Sequence, residues 1–236
     1  MKFSIYFYKK IFNMISLKEA LVRKNRGVDI DELKRDEILK FLNNNYVIHH
    51  HRNKRLVGDQ LLEILKFEKN NVIDIEGDMV SIRLKTPLDS FTNGMFKFGK
   101  IHGDLIIDPA LKLQYLPKNG PVEVDNMVLN SNDFLKSLKG CPKILNNLDC
   151  YMCQDLLSVE GLKYVGGDIT FSLCTRLKDL KKFPANFSGV IYLDNTSVES
   201  LKDLPRSVKK ILISKWMGDD LKDVDGLEGK IKYVRD

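Results

Sequence analysis

At 236 residues, with 43% hydrophobic and 30% charged content, the chain has the composition of a folded protein and not of a disordered one. No apolar run reaches the roughly eighteen residues of a membrane-spanning helix, and the apolar residues 3–8 stop at Lys9-Lys10 with no small-residue cleavage site behind them, so the chain reads as cytoplasmic with no membrane partner. The formal charge of +6 belongs to the first third, where residues 1–71 hold 15 Lys+Arg against 9 Asp+Glu while residues 72–236 hold 23 of each.

Taken in order, Ser16-Leu-Lys-Glu19 is a capping box that opens a first helix ending at Gly27. Asp31 opens a second, with Leu33, Ile38, Phe41 and Leu42 near helical spacing and a stop at Asn43-Asn-Asn45. Tyr46-Val-Ile48 reads as a short strand, and Asp59 caps a third helix carrying Leu61, Leu62, Ile64, Leu65 and Phe67. Residues 1–71 are therefore expected to form a small, mainly helical, basic module. Its middle holds His49-His-His-Arg52-Asn-Lys54-Arg55. Adjacent histidines point in different directions and no second ligand cluster stands at metal spacing, so no metal is expected. Arg52, Lys54 and Arg55 are instead candidates for contacting a nucleic-acid backbone, or else form a solvated basic loop.

From residue 72 onward one phrase recurs: Leu113-Gln-Tyr-Leu116, Leu138-Lys-Gly-Cys141, Val159-Glu-Gly-Leu162, Leu180-Lys-Lys-Phe183, Leu201-Lys-Asp-Leu204 and Val224-Asp-Gly-Leu227. Its copies start 25, 21, 21, 21 and 23 residues apart, a period that marks a solenoid. Ile169-Thr-Phe171 alternates as a half-buried strand. A step of 21 carries its two apolar positions to Leu148 and Cys150, to Met127 and Leu129, and forward to Val190 and Tyr192. Three residues past the second strand position stand Asn132, Cys153, Cys174 and Asn195, a ladder of small polar groups suited to satisfying buried backbone groups at a turn.

Phe98-Gly-Lys-Ile-His-Gly-Asp104, Leu135-Lys-Ser-Leu-Lys-Gly-Cys-Pro142 and Tyr164-Val-Gly-Gly-Asp168, with the Asn/Cys ladder, make residues 72–236 resemble the degenerate leucine-rich repeats of proteins from large tailed bacteriophages. The Leu-x-x-Leu-Pro copies are also similar to repeats of bacterial secreted effectors with a ubiquitin-ligase domain, although no second domain of that size is present. The expected fold is α/β: a leucine-rich-repeat solenoid of six or seven irregular units after the helical module. The phage resemblance implies a non-enzymatic protein that binds and modulates a host protein inside the infected cell, by steric occlusion, in host takeover or anti-defence. Nucleic-acid binding through residues 1–71, with the repeats as scaffold, is the alternative.

Cys150-Tyr-Met-Cys153 with Cys141 and Cys174 offers four thiols, but each falls on a repeat position with a structural use, so neither zinc nor a cofactor is expected. No phosphate loop or nucleophile elbow appears, and Asp219, Asp220, Asp223 and Asp225 lack the spacing of a calcium loop. If Ile169 and Phe171 point inward, the outward rows at a 21-residue step are Val128, Asp149, Thr170, Ile191, Leu212 and Asn130, Tyr151, Ser172, Leu193, Ser214. Tyr151, Thr170, Ile191, Leu193, Leu212 and nearby Trp216 are then the partner-binding candidates. Either these apolar residues form such a site, or the register slips in the late units and returns Ile191, Leu193 and Leu212 to the core. Self-association through the last strand, Lys230-Ile-Lys-Tyr-Val-Arg235, is another alternative, unless its charges keep that edge unpaired.

Overall fold

A computed structural model describes residues 32–50, 54–81, 92 and 94–234. The expected helix over 16–26 and Arg52 lie outside the described residues.

The second expected helix forms as α1 (Glu32–Asn45), with Ile38, Leu39 and Leu42 buried. It ends where Asn43 and Asn45 donate their side-chain amides back to the carbonyls of Leu39 and Phe41. Strand β1 (Tyr46–His50) and β2 (Lys54–Leu56) then form an antiparallel hairpin, so Lys54 and exposed Arg55 lie in a strand and not in a loop. The third expected helix is not an α-helix. Gly58–Glu63 is a 3-10 segment, and the chain then extends as β3 (Leu65–Glu68), antiparallel to β4 (Val72–Ile75). Leu65 and Phe67 alternate with exposed Lys66 and Glu68, a period of two that outweighs the looser helical spacing. The connection places Asn70 and Asn71 at φ 62° and 57°, the left-handed geometry of a tight hairpin, which asparagine tolerates. This hairpin spans residue 71, the expected boundary of the first module.

Strands β5 (Asp78–Ser81), β6 (Lys97–Ile107), β7 (Glu123–Val128), β9 (Leu148–Asp149), β10 (Ile169–Thr170), β11 (Val190–Tyr192), β12 (Lys210–Ile213) and β13 (Ile231–Tyr233) are parallel neighbours in one sheet, and β8 (Lys143–Ile144) pairs beside the first half of β7. Hairpin β1–β2 extends this sheet by pairing with β5. The result is a solenoid of about seven stacked turns.

Opposite the strands, most of the described coils contain turns where the α/β expectation placed helices, with only short helical segments such as Pro109–Leu111 and Lys215–Gly218, so the molecule is mostly β. In the coil that starts at β7, every third residue is buried, Leu129, Asn132, Leu135, Leu138, Cys141 and Ile144, with Ser137 and Pro142 buried beside them. Three of the five steps are closed turns: Asn132 N–H donates to Leu129 O, Leu135 N–H to Asn132 O, and Cys141 N–H to Leu138 O. The next coil repeats this with Cys150, Cys153, Leu156, Val159, Leu162 and Val165. In the copies from Leu138 on, the recurrent phrase is thus a closed turn that sends its apolar ends inward, and a three-residue rhythm places no continuous stripe on a 3.6-residue helix. A second buried column, Ile75, Ile101, Val124, Ile144, Val165, Phe187 and Val208, stacks along the other flank.

The expected register holds through β10 and then shifts by one. Ile169 pairs with Ile191, not Val190, and both are fully buried. Ile191 and Leu193 therefore belong to the core, as the slipped register expects and against their outward placement, while Leu212 stays outward. The cause is one added residue: Phe183 to Phe187 takes four residues where Leu162 to Val165 takes three, with a turn closed by Phe187 N–H to Pro184 O. A single-residue slip exchanges the faces of a strand. The turn ladder moves with it, so Thr196 is the buried member and Asn195 is exposed at φ 55°. Asn195 instead joins Ser131, Met152 and Leu173, all left-handed, in the position just before the ladder.

The ladder satisfies backbone carbonyls from coil to coil. Asn132 donates to Ile107 O at 3.0 Å, the Cys153 thiol to Leu129 O at 3.0 Å and the Cys174 thiol to Cys150 O at 3.0 Å, while Thr196 donates to Leu193 O at 2.7 Å within its own turn. Cys174→Ala should leave Cys150 O without this donor in a dry site and cost about 1–3 kcal/mol. Cys174→Ser keeps a donor and should retain most of that stability. Urea midpoints of the two variants check this, and equal losses would refute a hydrogen-bonding role for the thiol.

Candidate functional site

The register draws one outward row across the whole sheet. Val47 pairs with Val80, Val80 with Ile106, Ile106 with Val128, Val128 with Asp149, Asp149 with Thr170, Thr170 with Tyr192, Tyr192 with Leu212, and Leu212 with Lys232. From Val47 to Leu212 these side chains are half-buried, while their chain neighbours Met79, Leu105, Met127, Leu148, Ile169, Ile191 and Ile211 are buried. Alternation along each strand makes this row the solvent side of the sheet.

Two flanking rows fix its geometry. On the amino-terminal side runs an Asp/Asn ladder: Asp78 Oδ1 accepts from Asp104 N–H at 2.8 Å, Asn126 Oδ1 from Asn147 N–H at 3.0 Å, Asn147 Oδ1 from Asp168 N–H at 2.9 Å, and Asp168 Oδ1 from Val190 N–H at 2.8 Å. Asn126 Nδ2 links to Asp104 Oδ1 at 2.8 Å. Each side chain meets a backbone or amide donor of the next coil, so the strands enter the sheet in register. On the other side, Asp149 accepts from Tyr151 N–H and from Asn130 Nδ2, both at 3.0 Å, and Asp194 Oδ1 accepts from Ser172 Oγ at 2.6 Å.

Of the expected partner-binding residues, Tyr151, Thr170 and Leu212 share this face, and Tyr151 is 41% exposed. Val190, Tyr192 and Asp194 take the outward places expected for Ile191 and Leu193. Trp216 sits elsewhere, on the short helix α2 (Lys215–Gly218), 56% exposed beside a cavity of about 390 Å³ that Thr196, Glu199, Asp220 and Lys222 help to line. Tyr192, Asp194 and the Asp/Asn ladder escaped sequence reasoning. The 22-residue step from Gly167-Asp168 to Gly189-Val190 was the available signal for the first two.

Neither a family model, nor a curated protein, nor a solved structure matches the chain.

Other chemistry is structural in character. Among the described residues no group of three or more His, Cys, Asp or Glu is arranged to hold a metal ion, and no helix is long and apolar enough to cross a membrane. Burial pushes the Cys141 thiol up to about 12 and raises Cys150 as well, while contact with Cys153 together with burial raises Cys174. Thiol donation from Cys150 and Cys174 would pull Cys153 down to about 5. Yet Cys174 Sγ stands at hydrogen-bond distance from Cys150 O, and Cys153 Sγ from Leu129 O, a contact that only a protonated thiol satisfies. Cys153 is thus a neutral donor in the ladder.

Several lysines of the repeats form ion pairs on other surfaces. Glu123 bridges Lys100 at 3.2 Å and Lys143 at 2.8 Å, and Glu160 bridges Lys139 at 2.9 Å and Lys182 at 2.5 Å. Lys182 and Lys139 hold the Glu160 carboxyl down at about 2, against an ordinary 4.5. A depressed carboxyl contributes stability that is present above its unfolded value and lost as pH falls through its folded one. Thermal melts between pH 4.5 and 2 at low salt should therefore fall less steeply for Glu160→Gln than for the unchanged chain. The difference should vanish at high salt, because the trio is solvent-exposed; its persistence there would contradict the ion-pair origin.

Proposed function

We propose that this chain is a non-enzymatic protein-binding solenoid of the leucine-rich-repeat kind, and that it contacts its partner with the outward strand face. The observation that carries the reading is the single rigid row from Val47 to Leu212, which holds Val128, Thr170, Tyr192 and Leu212 at half burial with Tyr151 beside it. Aromatic and aliphatic groups pre-fixed by a hydrogen-bonded sheet lose little freedom on binding, which favours recognition. The resemblance to phage repeats makes a host-cell protein the partner to seek, with occlusion of that protein's own contact surface as the mechanism.

The test is affinity capture from nuclease-treated host lysate with the full chain and with a Tyr192→Glu/Leu212→Glu variant that melts like the parent. One protein retained by the parent and lost from the variant supports the reading. Equal retention by both, or none by either, removes it. The rival, nucleic-acid binding, rests on the basic residues before 72. It predicts capture only when nuclease is omitted and a steep loss with salt.

A further inference from the structure

Resting on that reading, we infer that the partner surface is basic: a lysine- or arginine-bearing protein segment seated across β9, β10 and β11, with its cations against Asp149, Asp168 and Asp194 and its apolar groups on Tyr151 and Tyr192. The outward positions of these three strands and their flanks are Asn147, Asp149, Tyr151, Asp168, Thr170, Val190, Tyr192 and Asp194, while Ser172 is buried and bonded to Asp194. They include three carboxylates and no lysine or arginine, on repeats that over residues 72–236 hold 23 Lys+Arg against 23 Asp+Glu. The face is thus an acidic patch on a solenoid of balanced charge.

The carboxylates are held by neutral donors: Asp149 by Tyr151 N–H and Asn130 Nδ2, Asp168 by Val190 N–H, and Asp194 by Ser172 Oγ. Among the described residues none of the three meets a lysine or arginine, whereas Glu123, Glu160 and Asp155 on other surfaces each do. A carboxylate accepts about four hydrogen bonds, so each keeps capacity for an incoming ammonium or guanidinium group. Tyr151 and Tyr192 stand two residues from Asp149 and Asp194 respectively, which adds ring faces suited to the same cations. Strand spacing of about 4.8 Å puts the acidic positions over about 10 Å, the reach of a short peptide segment. Beyond them Lys210 and Lys232 follow on β12 and β13 and would repel a basic partner, which sets that end of the footprint. The same carboxylates disfavour phosphate, so nucleic acid is not the ligand of this face.

The probes are two synthetic peptides of identical leucine and serine content, one bearing arginine and lysine and the other glutamate at the same positions, followed by fluorescence anisotropy on the full chain. The test variant is Asp149→Asn/Asp168→Asn/Asp194→Asn. It preserves the fold's contacts, since asparagine already serves at 126 and 147 in the ladder, and Asn130 Oδ1, which has no donor, can take one from a new amide at 149. The control, Asp179→Asn/Asp203→Asn/Asp225→Asn, changes net charge equally in the Leu-x-x-Leu turns. The basic peptide should bind, weakening roughly tenfold in the test variant and little in the control. Equal weakening in both variants, binding of the glutamate peptide, or no binding of the basic peptide at millimolar concentration overturns the inference. A lysate partner that is lost from Tyr192→Glu/Leu212→Glu but presents an acidic contact surface would leave the protein-binding reading standing and remove only this inference.

Discussion

Ile191→Glu is expected to unfold the late coils, whereas Tyr192→Glu, one residue on, leaves the fold intact. Ile191 is fully buried and pairs with Ile169 on one side and Ile211 on the other. A carboxylate there loses its water, gains no cation and removes an apolar side chain stacked between two others. Mechanisms of this kind cost about 4 kcal/mol or more, a large part of the stability of a domain this size. Tyr192 faces solvent in the outward row, and its replacement should stay within about 1 kcal/mol. Denaturation followed by circular dichroism separates the two directly. Similar melting of both variants would mean that the register does not shift after β10 and that Ile191 lines the outer surface after all.

Gly189→Ala should be the next most damaging change. An added Cβ would stand 1.9 Å from the carbonyl oxygen of Gly167 and 2.7 Å from its carbon. Both are backbone atoms of the adjacent coil and cannot turn aside, so the coils must separate where Asp168 Oδ1 receives Val190 N–H. The expected loss is about 2–4 kcal/mol, from overpacking and a weakened ladder together. Gly229→Ala is the matched control: nothing lies within 4 Å of its would-be Cβ. That change should be neutral or slightly stabilising, because alanine restricts the unfolded chain more than glycine does. Urea midpoints decide, and a Gly189 variant as stable as the Gly229 variant would show that the coils are not in backbone contact at this point.

The solenoid was legible because its determinants are local and repeated. From Leu138 on, the Leu-x-x-Leu phrase is a turn with its apolar ends inward, and the inward pairs Met127/Leu129, Leu148/Cys150 and Ile169/Phe171 follow from alternation with a constant step. The step itself was not constant, and one residue added between Phe183 and Phe187 was enough to reverse the expected faces at Ile191 and Leu193 and to move the turn ladder from Asn195 to Thr196. Periodicity records which residues are apolar but not where a turn absorbs an extra one. In the amino-terminal part the difficulty was of another kind. Leu61, Leu62, Ile64, Leu65 and Phe67 satisfy a helical spacing loosely and a strand alternation only from Leu65 on, and pairing with Ile73 and Ile75 decided the matter. The outward face was half legible: Asp149, Tyr151, Thr170 and Leu212 were placed on it, while the alignment of Asp168 and Asp194 with them depends on which strands adjoin which.

The closure of the coil has a consequence for how such a chain can change length. Leu148 and Ile169 occupy the same register 21 residues apart, and Asn147 hands its oxygen to Asp168 as Asn126 does to Asn147. A tandem copy of residues 148–168 would therefore find on both sides the neighbours that the original has, with no new turn to invent. Its effect would be to widen the outward face by one strand, about 4.8 Å, adding one more Asp149 and Tyr151 while the two ends stay as they are. Gene duplication in units of one coil thus offers this architecture a ruler, by which the extent of a contact surface can be adjusted in steps independently of its chemistry.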